Sequence, residues 1–142
     1  MKETNSENST SPNTFKFYLG ALDGGDWCEV AWEDKTLWYR AGVLFRELPS
    51  REVSCTPSPD RWRRFWQDLD RVGVWNWKPD YTDPNVLDGS GWHLEIKHAG
   101  RELKTGGDNG YPGANGPEYS PDTPFGQFLV ALEHLTGIPG IV

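Results

Sequence analysis

The sequence predicts an α+β fold, an antiparallel sheet of about five to six strands with two helices packed on one face. Three observations carry this. Two segments read as β-hairpins whose cross-strand partners match in kind. Two further segments have complete helix punctuation, each with a single apolar stripe. Nothing in the order of elements suggests the alternation that builds a parallel sheet.

The first strand is "FKFYLGAL", which alternates at Phe15, Phe17 and Leu19 and then meets the turn signal "DGGD". The first hairpin is "WCEVAWEDKTLWYRAGV". A turn at Asp34-Lys35 pairs Trp32 with Leu37 and Val30 with Tyr39 on one face, and Glu29 with Arg40 on the other. Apolar pairs on one side and an ionic pair on the other fix the register, because a slip of one residue would invert both faces.

The first helix is "SPDRWRRFWQDLDRVG". Ser58 is its candidate N-cap, Pro59 suits the first helical position, Asp60 complements the helix dipole and Gly73 is the expected stop. Trp62, Phe65, Trp66, Leu69 and Val72 fall on one face. A strand is then expected over "VWNWKPDY", with Trp75 and Trp77 on the same side. A turn-rich loop, "YTDPNVLDGSG", leads to the second hairpin, "WHLEIKHAGRELKT". Its turn at Ala99-Gly100 pairs Ile96 with Leu103, Lys97 with Glu102 and Glu95 with Lys104. Trp92, Leu94 and Ile96 then point inward, and His93, Glu95 and Lys97 outward. Asp122 or Thr123 caps the last helix and Pro124 opens it. Phe125, Phe128, Leu129, Leu132 and Leu135 form its buried stripe, and Gly137 ends it.

The chain of 142 residues fits one domain, expected over 15–142 behind a polar, disordered tail over 1–14. Eight Trp and a 13% aromatic content offset the modest 36% hydrophobic fraction, since each buried aromatic removes about 150–250 Å² from water. The formal charge of −7 disfavours nucleic acid and anionic membranes as partners. No stretch approaches the ~20 apolar residues of a membrane span, and residues 1–14 hold no signal-like apolar run, so a cytoplasmic location is expected. Cys28 and Cys55 are too few for a disulfide framework and read as reduced thiols.

Each catalytic pattern fails on a specific requirement. His93-x-Glu95 lacks the P-C-x-x-C segment of the zinc deaminases, and the hairpin ladder already explains Glu95. Ser90 in "DGSGW" has Asp88 where a nucleophile elbow needs Gly. Asp83, Asn85 and Asp88 read as an Asx-turn loop, not a calcium loop. In "RWRRFW" the aromatics belong to the helix core stripe, which leaves none to stack on bases. No phosphate-cradling glycine motif occurs, and no cofactor or metal is expected.

What remains is "GGDNGYPGANGPEYSP", residues 106–121, a long Gly/Pro-rich connection between a strand and a helix. Irregular loops of more than ~12–15 residues in compact domains are usually functional or disordered. Asp108, Asn109, Tyr111 and Tyr119 are therefore the candidate binding residues, with Tyr offering a rigid apolar body and a polar tip. The competing reading folds the same Tyr residues back onto the core. The function expected is a non-catalytic interaction module with a protein or small-molecule partner. The alternative is a small hydrolase-like enzyme that assembles Asp and His residues through the fold.

Overall fold

The computed structural model describes residues 10–21, 26–43, 50–85, 89–114 and 119–140. Six strands, β1 (Thr14–Ala21), β2 (Asp26–Glu33), β3 (Thr36–Val43), β4 (Arg51–Cys55), β5 (Ser90–His98) and β6 (Arg101–Asp108), form one sheet. Its order is β4-β3-β2-β1-β5-β6, and every neighbouring pair is antiparallel. Helices α1 (Pro59–Val72) and α2 (Pro124–Thr136) pack together on one face of it.

Both hairpins have the expected register. Trp32 pairs with Leu37, Val30 with Tyr39 and Glu29 with Arg40. Ile96 pairs with Leu103, Lys97 with Glu102 and Glu95 with Lys104. Both two-residue turns lie in the left-handed region, at φ 51° and 63° for Asp34 and Lys35 and 52° and 80° for Ala99 and Gly100. This is the turn whose twist matches the flanking strands. On the open face Arg40 donates to Glu29, Glu33 and Glu52 at 3.3, 2.9 and 2.7 Å, and Lys97 and Lys104 reach Glu102 and Glu95 at 3.8 and 3.7 Å. Most of these partners are solvent-exposed, so each pair contributes at most about 1 kcal/mol and mainly penalises a slipped register.

The helix ends are built as their residues dictate. The Ser58 and Thr123 hydroxyls accept the backbone N–H of Arg61 and Gly126, and Gly73 and Gly137 close the helices with φ of 84° and 74°. Trp62, Phe65, Trp66 and Leu69 of α1 are buried. So are Phe125, Phe128, Leu129, Leu132 and Leu135 of α2. They meet the sheet through aromatic edges: Phe15 on Phe65 at 5.7 Å, Phe17 on Phe128 at 5.2 Å and Trp32 on Trp62 at 5.6 Å. Trp66 stacks on His98 at 3.9 Å, and its indole N–H donates to the Thr10 carbonyl at 2.6 Å. Of the expected tail, residues 1–9 lie outside the described residues. Over 10–13 the chain is held by that bond, by Asn13 N–H donating to the Lys97 carbonyl at 2.8 Å, and by burial of Pro12.

Two elements depart from expectation. The strand predicted over "VWNWKPDY" is instead a 3₁₀ turn at Val74–Asn76 followed by an irregular segment. That segment still borders β6, through Tyr81 N–H to the Gly106 carbonyl at 2.9 Å and Asp83 N–H to the Asp108 carbonyl at 2.8 Å. Pro79 and Pro84 bring no N–H, so a continuous ladder cannot form there. In the other departure, β4 has no predicted counterpart. It is a five-residue edge strand with two charged positions and no fully buried one, so its composition carries no strand signal. Among the described residues no helix is long and apolar enough to cross a membrane.

The two turns generate a prediction. Ala99 occupies a left-handed position that costs a residue with a Cβ about 1–2 kcal/mol, whereas Asn tolerates it. Ala99→Asn is expected to raise stability by about 1 kcal/mol in urea denaturation, and a loss would contradict the turn assigned here.

Candidate functional site

The Gly/Pro-rich stretch begins as structure. Residues 106–108 complete β6, and residues 115–118 lie outside the described residues. Asp108 is exposed at the strand end, where its N–H donates to Thr82 Oγ1 at 3.1 Å. Asn109 is 1% exposed and sits at φ 60°. Its backbone N–H donates to the Ser90 carbonyl at 2.8 Å, and its Oδ1 accepts the Ser90 N–H at 3.1 Å. Asn109 thus extends the β5–β6 ladder by one rung with its side chain. Gly89 faces it, and a Cβ there would collide with the Asn109 amide. Gly110 is needed for a similar reason, since a Cβ on it would strike the Tyr81 carbonyl.

Tyr111 is 3% exposed. Its ring stacks on Trp92 at 6.4 Å and meets Phe125 at 4.7 Å, and its hydroxyl contacts Ser90 Oγ. Burial pushes its pKa up, and Ser90 partly opposes the rise. Tyr119 is half-buried, with Tyr111 and Phe125 each 4.8 Å away. Of the four candidates, Asn109 and Tyr111 are packed inside, Asp108 borders an open hollow of about 460 Å³ beside Thr82 and His93, and Tyr119 borders a separate open cavity. Ser90, whose Oγ contacts the Tyr111 hydroxyl, lines that cavity as well.

The cavity is a cleft of about 500 Å³ at one end of the helix-bearing sheet face. Its origin lies in the strand sequences. One row across the sheet reads Phe17, Val30, Tyr39 and Val53. The next row outward reads Leu19, Cys28, Ala41 and Arg51. Beyond it Ala21 pairs with Ser90, and Asp26 with Val43. The helices cover the inner rows through Phe17 and Trp32, and past them the aromatics give way to Leu19, Cys28 and Ala41. Among the described residues, no helix lies over these side chains, and they form the floor of the cleft. Tyr39 and Tyr119 form walls, and Arg51, Asp26 and Gly140 border the mouth.

The thiol and the phenols of the cleft are shifted towards their protonated forms. Burial pushes the Cys28 thiol up to about 11. Burial also raises Tyr39, with a contribution from Cys28, and Arg51 opposes it. Tyr119 is raised by burial, then by Tyr111 and Cys28. A thiol that keeps its proton is a poor nucleophile. The Arg51 guanidinium lies over the Tyr39 ring at 5.4 Å, a cation–π contact. Cys28 and Cys55 are both free thiols.

Other places offer less. A groove of about 560 Å³ runs between the helices past Arg61, Arg64 and His134, but Asp68 there is engaged by Arg64 at 3.9 Å and Arg71 at 3.0 Å. Asp83 Oδ1 accepts the Asn85 N–H at 3.0 Å, an Asx turn, while Asp88 lies outside the described residues. His93 is exposed, and Glu95 faces Lys104. Among the described residues no group of three His, Cys, Asp or Glu side chains is gathered as a metal site. Sequence reasoning missed Cys28, Tyr39, Ala41 and Arg51. The one signal available was the run of small residues on the inward period of β1 to β3, and it acquires meaning only once the strand order is known.

Two predictions arise here. Asn109→Ala loses the bond to Ser90 and forces Ala into the left-handed region, so it is expected to cost about 2–4 kcal/mol. Asn109→Gly, free of the backbone strain, is expected to cost about 1 kcal/mol less. Urea denaturation of both variants decides it, and an unaffected Ala variant would remove Asn109 from the anchoring role. The second prediction is a pH dependence. The folded chain keeps the Cys28 proton up to about 11, against an ordinary value of 9.0. Between those values the unfolded chain binds fewer protons, so stability falls as pH rises from about 9 to about 11. Cys28→Ala is expected to make that fall shallower, and an unchanged slope would contradict the buried thiol.

No protein-family model matches the chain, and no curated protein matches it in sequence.

Proposed function

We propose that the protein is a non-catalytic binding module whose recognition surface is the cleft at the sheet end. The observation that carries this reading is the floor of Leu19, Cys28 and Ala41 beyond the reach of the helices, which leaves about 500 Å³ walled by Tyr39 and Tyr119. That volume lies within the range of about 300–1,000 Å³ usual for ligand sites. The cleft pairs an apolar floor with a few convergent hydroxyls, the composition such sites favour. Its titratable groups support binding over reaction, because Cys28, Tyr39 and Tyr119 are all shifted towards the protonated state. A nucleophile or a general base would need the opposite shift. In this reading the Gly/Pro-rich loop acts at one remove. Asn109 and Tyr111 fix its first half, and Tyr119 at its far end provides a wall.

Ala41→Leu tests the proposal by filling the floor without displacing anything. In ligand-observed NMR against a mixed fragment library, fragments that bind the wild-type protein are expected to lose their signal with the variant, while the two proteins melt alike. Fragments that bind both equally well would place recognition elsewhere.

A further inference from the structure

We infer that the cleft takes a small apolar carboxylate, with its hydrocarbon body on the Leu19–Cys28–Ala41 floor and its anionic end on the Arg51 guanidinium. This rests on the reading of the cleft as the recognition surface and adds the class of ligand.

Arg51 opens β4 and pairs directly with Ala41, so its side chain rises from the edge of the floor. Among the described residues it is the cleft's only cationic lining residue. Arg40, Arg63, Arg64, Arg71 and Arg101 are each engaged by a carboxylate. Arg51 forms an ion pair with no described carboxylate and instead lies against the Tyr39 ring. That contact engages no carboxylate, so the guanidinium N–H groups remain to receive an anion. A guanidinium edge matches a carboxylate in bidentate geometry, which a compact ammonium cannot reproduce.

The one anionic lining residue among the described residues, Asp26, does not compete for this position. It lies on β2, in the outer row opposite Val43, two strands away from Arg51. Two strand spacings separate the backbones by roughly 10 Å. The anion therefore belongs at the β4 side and the apolar body between the tyrosine walls. The other polar side chains there, including the hydroxyls of Tyr39, Tyr119, Ser50 and Ser90 and the Cys28 thiol, are neutral donors that do not repel an anion.

The test uses the full chain, followed by amide chemical shifts, with three probes of one shape: phenylacetate, its neutral amide phenylacetamide, and phenethylamine. Phenylacetate is expected to shift the amides of Leu19, Cys28 and Ala41 and to bind about tenfold more tightly than phenylacetamide. Arg51→Gln should remove that preference and leave the affinity for phenylacetamide unchanged. Arg51→Lys should restore part of it, and Ala41→Leu should abolish binding of both. Unchanged melting temperatures show that the variants are folded. Equal binding of acid and amide, or tighter binding of phenethylamine, overturns the assignment of an anion and leaves the cleft a binding site. Shifts confined to other surfaces, or none from any probe, overturn both.

Discussion

The indole of Trp92 holds the two halves of this molecule together. It stands on β5 opposite Leu19 of β1, where the second hairpin joins the first strand. Its ring meets Trp77 at 5.8 Å, Phe125 at 4.9 Å, Tyr81 at 6.0 Å and Tyr111 at 6.4 Å. Its N–H donates to the Gly110 carbonyl at 2.7 Å. One side chain therefore ties together the sheet, the last helix, the irregular segment after the 3₁₀ turn and the Gly/Pro-rich loop. A buried Trp must place its N–H on an acceptor, and that demand fixes the loop at Gly110.

The loop's composition follows from this attachment. With Gly110 drawn to the indole and Gly107 lying close to Tyr81, the chain passes where no Cβ fits. Asn109 turns the backbone through φ 60° and completes the last ladder rung with its amide. Tyr111 then fills the space beside Trp92 and Phe125. The glycines and Asn109 that made the loop look like a flexible recognition element are the residues that let it pack closely. Under the proposed reading, recognition passes to Tyr119, which the packed half of the loop holds at the cleft wall.

What the sequence could disclose divides along contact distance. The hairpins were legible because turn, apolar pairs and ionic pairs lie within a dozen residues of one another and agree. The helices were legible because Ser58, Pro59 and Gly73, like Thr123, Pro124 and Gly137, mark their ends locally. The segment after Gly73 misled because the alternation of Trp75 and Trp77 imitates a strand, while Pro79 and Pro84 limit it to isolated bonds with β6. Strand β4 was silent because an edge strand needs little burial. The cleft was illegible for a stronger reason. Leu19, Cys28, Ala41 and Arg51 come from four strands and become neighbours only through three separate registers. Asn109 and Tyr111 drew attention by residue type, but residue type does not distinguish a Tyr that faces a partner from one that faces Phe125.

The distribution of residue size across the inward face sets the core apart from the cleft. Along β1, β2 and β3 the same face carries Phe15 and Phe17, Val30 and Trp32, and Leu37 and Tyr39 at one end. It carries Leu19 and Ala21, Asp26 and Cys28, and Ala41 and Val43 at the other, where no aromatic side chain remains. A sheet under selection for stability alone would continue the large residues or bring a helix over the small ones, since each further buried methylene contributes about 0.8 kcal/mol. Instead the row beside the aromatic core ends in Ala41 and Arg51, where a charge borders apolar ground. Apolar surface with no helix over it, next to a guanidinium that no described carboxylate engages, is costly to the isolated fold and useful to a site that must hold an apolar body by one charged end. This contrast within single strands is the physical basis for reading the cleft as a place of recognition.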